Sequence, residues 1–138
     1  MEIMEDNELW MTAESDDIWV AQDATAGIGT NRFYALSTVS GIQKEALAPL
    51  LESSLKTISR YHEQGKKLSP SESEKVLMLE QLFKWGHKIF ASPKDFELWL
   101  QRSSFGLQDR VPFSLLSTIT GIRAVIGELK NIATGNLS

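Results

Sequence analysis

The chain has 138 residues, 42% hydrophobic and 23% charged, with a net charge of −4 and no cysteine. That length suits one compact domain or two very small ones, and the missing thiols exclude disulfides, thiolate nucleophiles and cysteine-held zinc. No run of eighteen apolar residues occurs, and the acidic opening MEIMEDNELW is unlike a secretory leader, so a cytoplasmic protein without a membrane span is expected.

The charge is unevenly spread. Residues 1–23 hold eight acids and no Lys or Arg, whereas residues 24–138 hold ten acids against fourteen bases. Residues 1–30 therefore read as an acidic N-terminal arm, which could mask a basic surface or aid solubility. Trp10, Ile18, Trp19 and Val20 argue against a wholly unstructured arm. A short strand at 18–21 and a helical turn are both open there. ATAGIGT (24–30) reads as a flexible hinge.

From Asn31 onward every periodic segment is helical, and no alternating strand pattern survives. Phe33, Leu36 and Val39 give one apolar face before Gly41. In QKEALAPLL (43–51) the pattern continues, but Pro49 must kink or shorten the helix. Leu55, Ile58 and Tyr61 then point inward until Gly65. Ser69-Pro70-Ser71-Glu72 carries a capping serine, a proline at the first helical position and a glutamate three residues on. The long amphipathic helix it opens presents Val76, Leu79, Phe83, Gly86 and Phe90. Ser92-Pro93-Lys94-Asp95 starts a short helix with Phe96, Trp99 and Leu100 on one face. SSFGLQDR (103–110) is loop, and Pro112 begins a single turn. Ile119, Ile122, Ile126, Leu129 and Ala133 mark a final helix ending at Gly135. Gly127 inside it costs about 1 kcal/mol relative to alanine, which points to close approach of another helix. The fold class is all-α.

Catalysis finds little support. His62 and His87 have no ligand-spaced partners, and GIG (27–29) lacks the strand before it and the Lys-Ser/Thr after it that a phosphate loop needs. No catalytic residue, metal site or cofactor is expected. LLESSLKTISRY (50–61) reads instead as the centre of a helix-turn-helix, with Glu52 and Ser53 in the turn and Ser54 capping the second helix. Ser54, Lys56, Thr57, Ser59 and Arg60 are then the candidate DNA-binding residues, because Arg and Lys on such a helix read guanine or anchor phosphate. Five bases stand against three acids between Lys44 and Lys67, so DNA affinity should be modest and salt-sensitive. An ordinary helical hairpin with a solvated face is the alternative. A left-handed backbone at Glu52 would cost roughly 1 kcal/mol.

The order of these pieces resembles the Xre/MbcA/ParS-type antitoxins of RES–Xre toxin–antitoxin systems. GIQKEALAPLLESSLKTISRYHEQGKKLSPSESEKVLML resembles their Xre-like helix-turn-helix region. KDFELWLQRSSFGLQDRVPFSLLSTITGIRAVIGELKNIATG is similar to their C-terminal toxin-binding domain, through Trp99-Leu100, Arg110-Val111-Pro112, Leu115-Leu116, Thr118, Gly121 and Gly135. Where the family has paired glycines before the arginine, Gln108 and Asp109 stand here; Val111 replaces its threonine. Pro49, Glu52 and Ser53 depart from the usual helix and turn. The resemblance implies an Xre-like helix-turn-helix domain over 31–91, joined by the long helix to a small toxin-binding domain over 92–138. It implies a RES-domain, NAD-consuming toxin as partner, operator DNA as a second ligand, and a homodimer, with no catalysis by the chain itself. Toxin-binding positions carried over are Gly135, Asn136, Leu137 and Ser138, which would approach or enter the toxin's cleft, and Arg110 and Pro112, which would shape the neighbouring surface. A stand-alone helix-turn-helix regulator with a helical dimerisation domain is the alternative.

Overall fold

A computed structural model of the chain describes residues 13–135; Trp10 and the tail residues Asn136, Leu137 and Ser138 lie outside the described residues. Among the described residues every regular element is helical, as the periodicity predicts. The elements are α1 (Ala13–Ala26), α2 (Asn31–Ser40), α3 (Lys44–Leu50), α4 (Leu55–Glu63), α5 (Pro70–Ile89), α6 (Pro93–Leu100) and α7 (Ile119–Ala133). Two 3₁₀ turns, Phe105–Leu107 and Pro112–Leu115, lie between α6 and α7.

The axis of the molecule is α5. Its start is fixed locally: the Ser69 N–H donates to the Glu72 carboxylate at 2.9 Å, and the Glu72 N–H donates to Ser69 Oγ at 3.1 Å. Ser54, Ser92 and Thr118 cap α4, α6 and α7 in the same way, each accepting from a backbone N–H three residues on. Each cap is worth about 1 kcal/mol. The amphipathic reading of α5 is too narrow. Besides Val76, Leu79, Phe83 and Gly86, it buries Ser73, Lys75, Leu77, Met78, Leu82 and Trp85. The reason is that α1, α2 and α7 pack around it, so apolar residues off the main stripe are covered too. Burying Val76, Leu79 and Leu82, none of them exposed at all, contributes about 1.5–3 kcal/mol apiece.

The flexible hinge expected at 24–30 is a locked connector. The Leu68 N–H donates to the Ile28 carbonyl at 2.9 Å, and the Ile28 N–H donates to Ser73 Oγ at 3.0 Å. Ile28 and Thr30 are buried, and Thr30 Oγ1 lies 2.8 Å from His62 Nδ1. Of the alternatives open at 18–21, the structure has helix: α1 lays Val20 and Ala24 on the core and leaves Ile18 and Trp19 exposed. Arg32 on α2 then clamps Glu80 on α5 with two hydrogen bonds, 2.9 and 2.6 Å. That pairing raises the Arg32 pKa against the opposing effect of burial.

Phe33 and Leu36 of α2 are buried as expected, whereas Val39, in the last turn of α2, is exposed on an open cavity that it shares with Phe83 and His87 of α5. Pro49 lies inside α3, which continues past it to Leu50. At the far end of α5 a Cβ on Gly86 would overlap the Phe96 ring, so this glycine is a socket. Phe83, Phe90 and Trp99 close around Phe96, at centroid distances of 5.3, 5.5 and 6.0 Å. This aromatic group fixes α6 against α5 and so positions everything that follows.

Candidate partner-binding groove

After α6 the chain makes a closed loop. The Ser104 N–H donates to the Arg110 carbonyl at 2.9 Å, and the Asp109 N–H donates to the Ser104 carbonyl at 2.9 Å. Closing so tight a turn puts Gln108 (φ 58°) and Asp109 (φ 62°) in the left-handed region. These are the two positions where the antitoxin resemblance leads one to expect paired glycines. Pro112 is buried and starts the second 3₁₀ turn, which packs on α7. Gly121 permits that packing, since a Cβ there would overlap the Leu115 carbonyl.

Between the loop and the outer side of α7 lies an open groove of about 670 Å³. The loop contributes Gly106, Leu107, Gln108 and Arg110; the helix contributes Thr120, Ala124, Gly127, Glu128 and Asn131. Among the described residues nothing lies within 4 Å of where a Gly127 Cβ would sit, so the close approach of another helix that its position suggests is not made there. Phe105, in the same 3₁₀ turn as Gly106, is 79% exposed, a large aromatic side chain held out in solvent next to the groove. Glu128 is the unusual member. Although it is buried, its carboxylate lies over Gly106 and leaves no room there for a Cβ.

Residues 86–135 match the family model of the antitoxin Xre/MbcA/ParS C-terminal toxin-binding domain. Over these residues the chain is similar to the Xre/MbcA/ParS-type toxin-binding domain. The match opens at the socket Gly86 and closes at Gly135, and every residue lining the groove falls inside it. A toxin is the partner class this domain implies. No curated protein matches the chain.

In the toxin-binding domain the structure brings together only part of the expected set. Arg110 is exposed on the groove, Pro112 is buried at the start of the second 3₁₀ turn and is not part of the groove lining, and Gly135 (φ 72°) follows the end of α7, its N–H bonded to the Ile132 carbonyl at 3.1 Å. Asn136, Leu137 and Ser138 fall outside the described residues. Glu128, Gly106, Thr120, Ala124 and Asn131 went unnoticed in the sequence. One signal was there: Glu128 interrupts the apolar band of α7 next to a glycine, where a charge is costly without a purpose.

The second candidate site is the α3–α4 pair. Ser54 Oγ accepts the Thr57 N–H at 3.1 Å and donates to Thr57 Oγ1 at 3.0 Å. Lys56 and Arg60 are exposed one turn apart, with Thr57 and Ser59 half-buried between them. The Arg60 guanidinium and the Lys66 ammonium both lie over the Tyr61 ring, 5.6 and 4.7 Å from its centroid. This cation cluster stands at the far end of α4 from the turn. Glu52 has φ 57°, the left-handed geometry whose cost the sequence raised. Among the described residues no group of three or more His, Asp or Glu could hold a metal ion, and no helix is long and apolar enough to cross a membrane.

Proposed function

We propose that the chain is the antitoxin of a type II pair that binds a RES-domain, NAD-consuming toxin and covers its catalytic cleft. The observation that carries this reading is the family match over residues 86–135, with a groove and the exposed Phe105 lying wholly inside it. In this reading residues 92–138 face the toxin. Arg110 and the loop it closes form the contact surface, Pro112 shapes the neighbouring surface, and Gly135 turns the chain so that Asn136, Leu137 and Ser138 enter the cleft. An apolar side chain such as Leu137 then sits where substrate would bind. The chain contributes binding and no chemistry of its own.

We further propose that residues 31–91 bind the operator of the pair's own operon. Support comes from the short α3, the four-residue turn and the Ser54-capped α4, which exposes Lys56 and Arg60 on one face with Thr57 and Ser59 between. Such cations supply phosphate contacts and base readout. The surplus of positive charge is small, so useful affinity needs two copies on paired half-sites, and a homodimer is part of the proposal.

Expression of the adjacent gene alone and together with this chain tests the first proposal. Arrested growth with NAD loss that this chain relieves, together with co-purification of the two proteins, is the expected result. A harmless neighbour and no NAD-consuming partner in a pull-down would leave the stand-alone regulator, which the exposed α4 also fits. For the second, Lys56→Ala with Arg60→Ala should weaken operator binding at least tenfold and flatten its salt dependence.

A further inference from the structure

Glu128 is 8% exposed, yet its only hydrogen-bond partner among the described residues is the Asn131 amide, Nδ2 to Oε1 at 3.5 Å. That is the outer limit of a hydrogen bond. No Lys, Arg or His nitrogen lies within 4.0 Å of the carboxylate among the described residues, although Arg110 lines the same groove. Among the described residues no side-chain oxygen is both fully buried and without a partner, so the carboxylate's unbonded oxygen opens on the groove. The carboxylate lies over the bare Cα of Gly106, and it lines an open groove rather than a closed core.

We infer that Glu128 is the seat for a cationic side chain, an arginine or lysine, that the toxin inserts into the groove between the 105–110 loop and α7. The inference rests on the proposed toxin-binding function and adds the chemistry of the contact. The toxin is the occupant because all the lining residues belong to the matched toxin-binding domain, and because a carboxylate that opens on the groove with no cation beside it among the described residues is complementary to a positive charge. The floor suits a long basic side chain. Thr120, Ala124 and Gly127 are small and let an aliphatic stem lie against α7, while Asn131 stands beside the carboxylate to share its donors. An incoming guanidinium would replace one long amide contact with two short, charge-assisted bonds. Phe105 at the rim supplies an apolar anchor next to the charged pocket.

The test uses the full chain and the catalytically inactivated protein of the adjacent gene, with dissociation constants measured across a range of salt. Glu128→Gln keeps the shape and removes the charge. It should weaken the complex at least tenfold and flatten the salt dependence, with an unchanged melting temperature. Gly127→Leu fills the groove from a position where the fold has open space, and should weaken the complex to a similar degree while leaving the helix content intact. If the wild-type chain does not bind that protein, the functional reading fails and the inference goes with it. If the wild type binds and Glu128→Gln binds within twofold of it, the cation seat is refuted while the antitoxin reading stands. A lowered melting temperature for Glu128→Gln would assign the carboxylate to the fold instead. Loss of the Glu128→Gln effect in an Arg110→Gln background would place the cation in this chain, and would equally overturn the inference.

Discussion

Two turns among the described residues put non-glycine residues into left-handed backbone, and they are held in different ways. In the α3–α4 turn, Glu52 (φ 57°) has its N–H bonded to the Pro49 carbonyl at 2.9 Å, and its carboxylate reaches Lys75 Nζ at 3.5 Å. Lys75 is itself buried and donates to the Ser117 carbonyl at 2.9 Å, just before α7. The strained residue is therefore tied through one side chain to the middle of the molecule. In the 104–110 loop, Gln108 and Asp109 have only their backbone N–H groups bonded, to the Phe105 and Ser104 carbonyls. Neither side chain makes a hydrogen bond or ion pair among the described residues. The same groove borders the mid-helix Gly127. The C-terminal region thus gathers two local weaknesses around one open surface, while the N-terminal turn has its strained residue within reach of a buried cation. Strained positions persist where binding or catalysis needs their geometry.

The largest effect should come from cutting the tie. Lys75→Ala is expected to lower the unfolding free energy by about 2–3 kcal/mol, from the cavity left by its stem and the lost charge-assisted bond to Ser117. The exposed Glu52 carboxylate adds little to that. A urea midpoint within error of the wild type would show that nothing is tied. Next, Gly127→Ala should raise stability by about 1 kcal/mol through helix propensity, because the space at its Cβ is free. Toxin affinity measured on the same sample should fall, and a gain in both would mean the glycine is not kept for the groove.

Smaller again is Gln108→Gly. Relief of the left-handed geometry gains about 1–2 kcal/mol, and the freer unfolded chain gives back about 0.4–1, so a net rise of about 0.5–1 kcal/mol is expected in thermal melts. Glu52→Gly should be the quietest. The same relief is offset by the freer unfolded chain and by the lost contact to Lys75, so the change should stay within about 0.5 kcal/mol. Equal gains at positions 52 and 108 would erase the difference between the two turns.

Much of this molecule could be read without coordinates wherever the signal is local. The starts of α4, α5, α6 and α7 were each written in a Ser or Thr cap. The ends of α2 and α7 were written in Gly41 and Gly135. The order of motifs from Trp99 to Gly135 pointed to the toxin-binding domain that the family match supports. Reading was weaker where a residue's environment comes from elsewhere. Val39 follows the apolar spacing of its helix yet faces solvent, and the small residues at 24–30 suggest a hinge yet are fastened by Leu68 and Ser73. The Ala13–Ala26 helix has almost no apolar face of its own to detect.

Sequence by itself determined that the chain is helical, where most of its helices start and stop, and which family its last third resembles. Those outcomes depend on caps, glycines, prolines and spacing that act within one or two turns. Tertiary structure alone decided that α5 is enclosed by α1, α2 and α7, that Lys75 joins the two halves, and that Glu128 lies buried against Gly106 beside an open groove. The physical reason is range. A cap is satisfied by the next three residues, whereas a buried charge acquires its meaning only from groups that are distant in sequence and close in space.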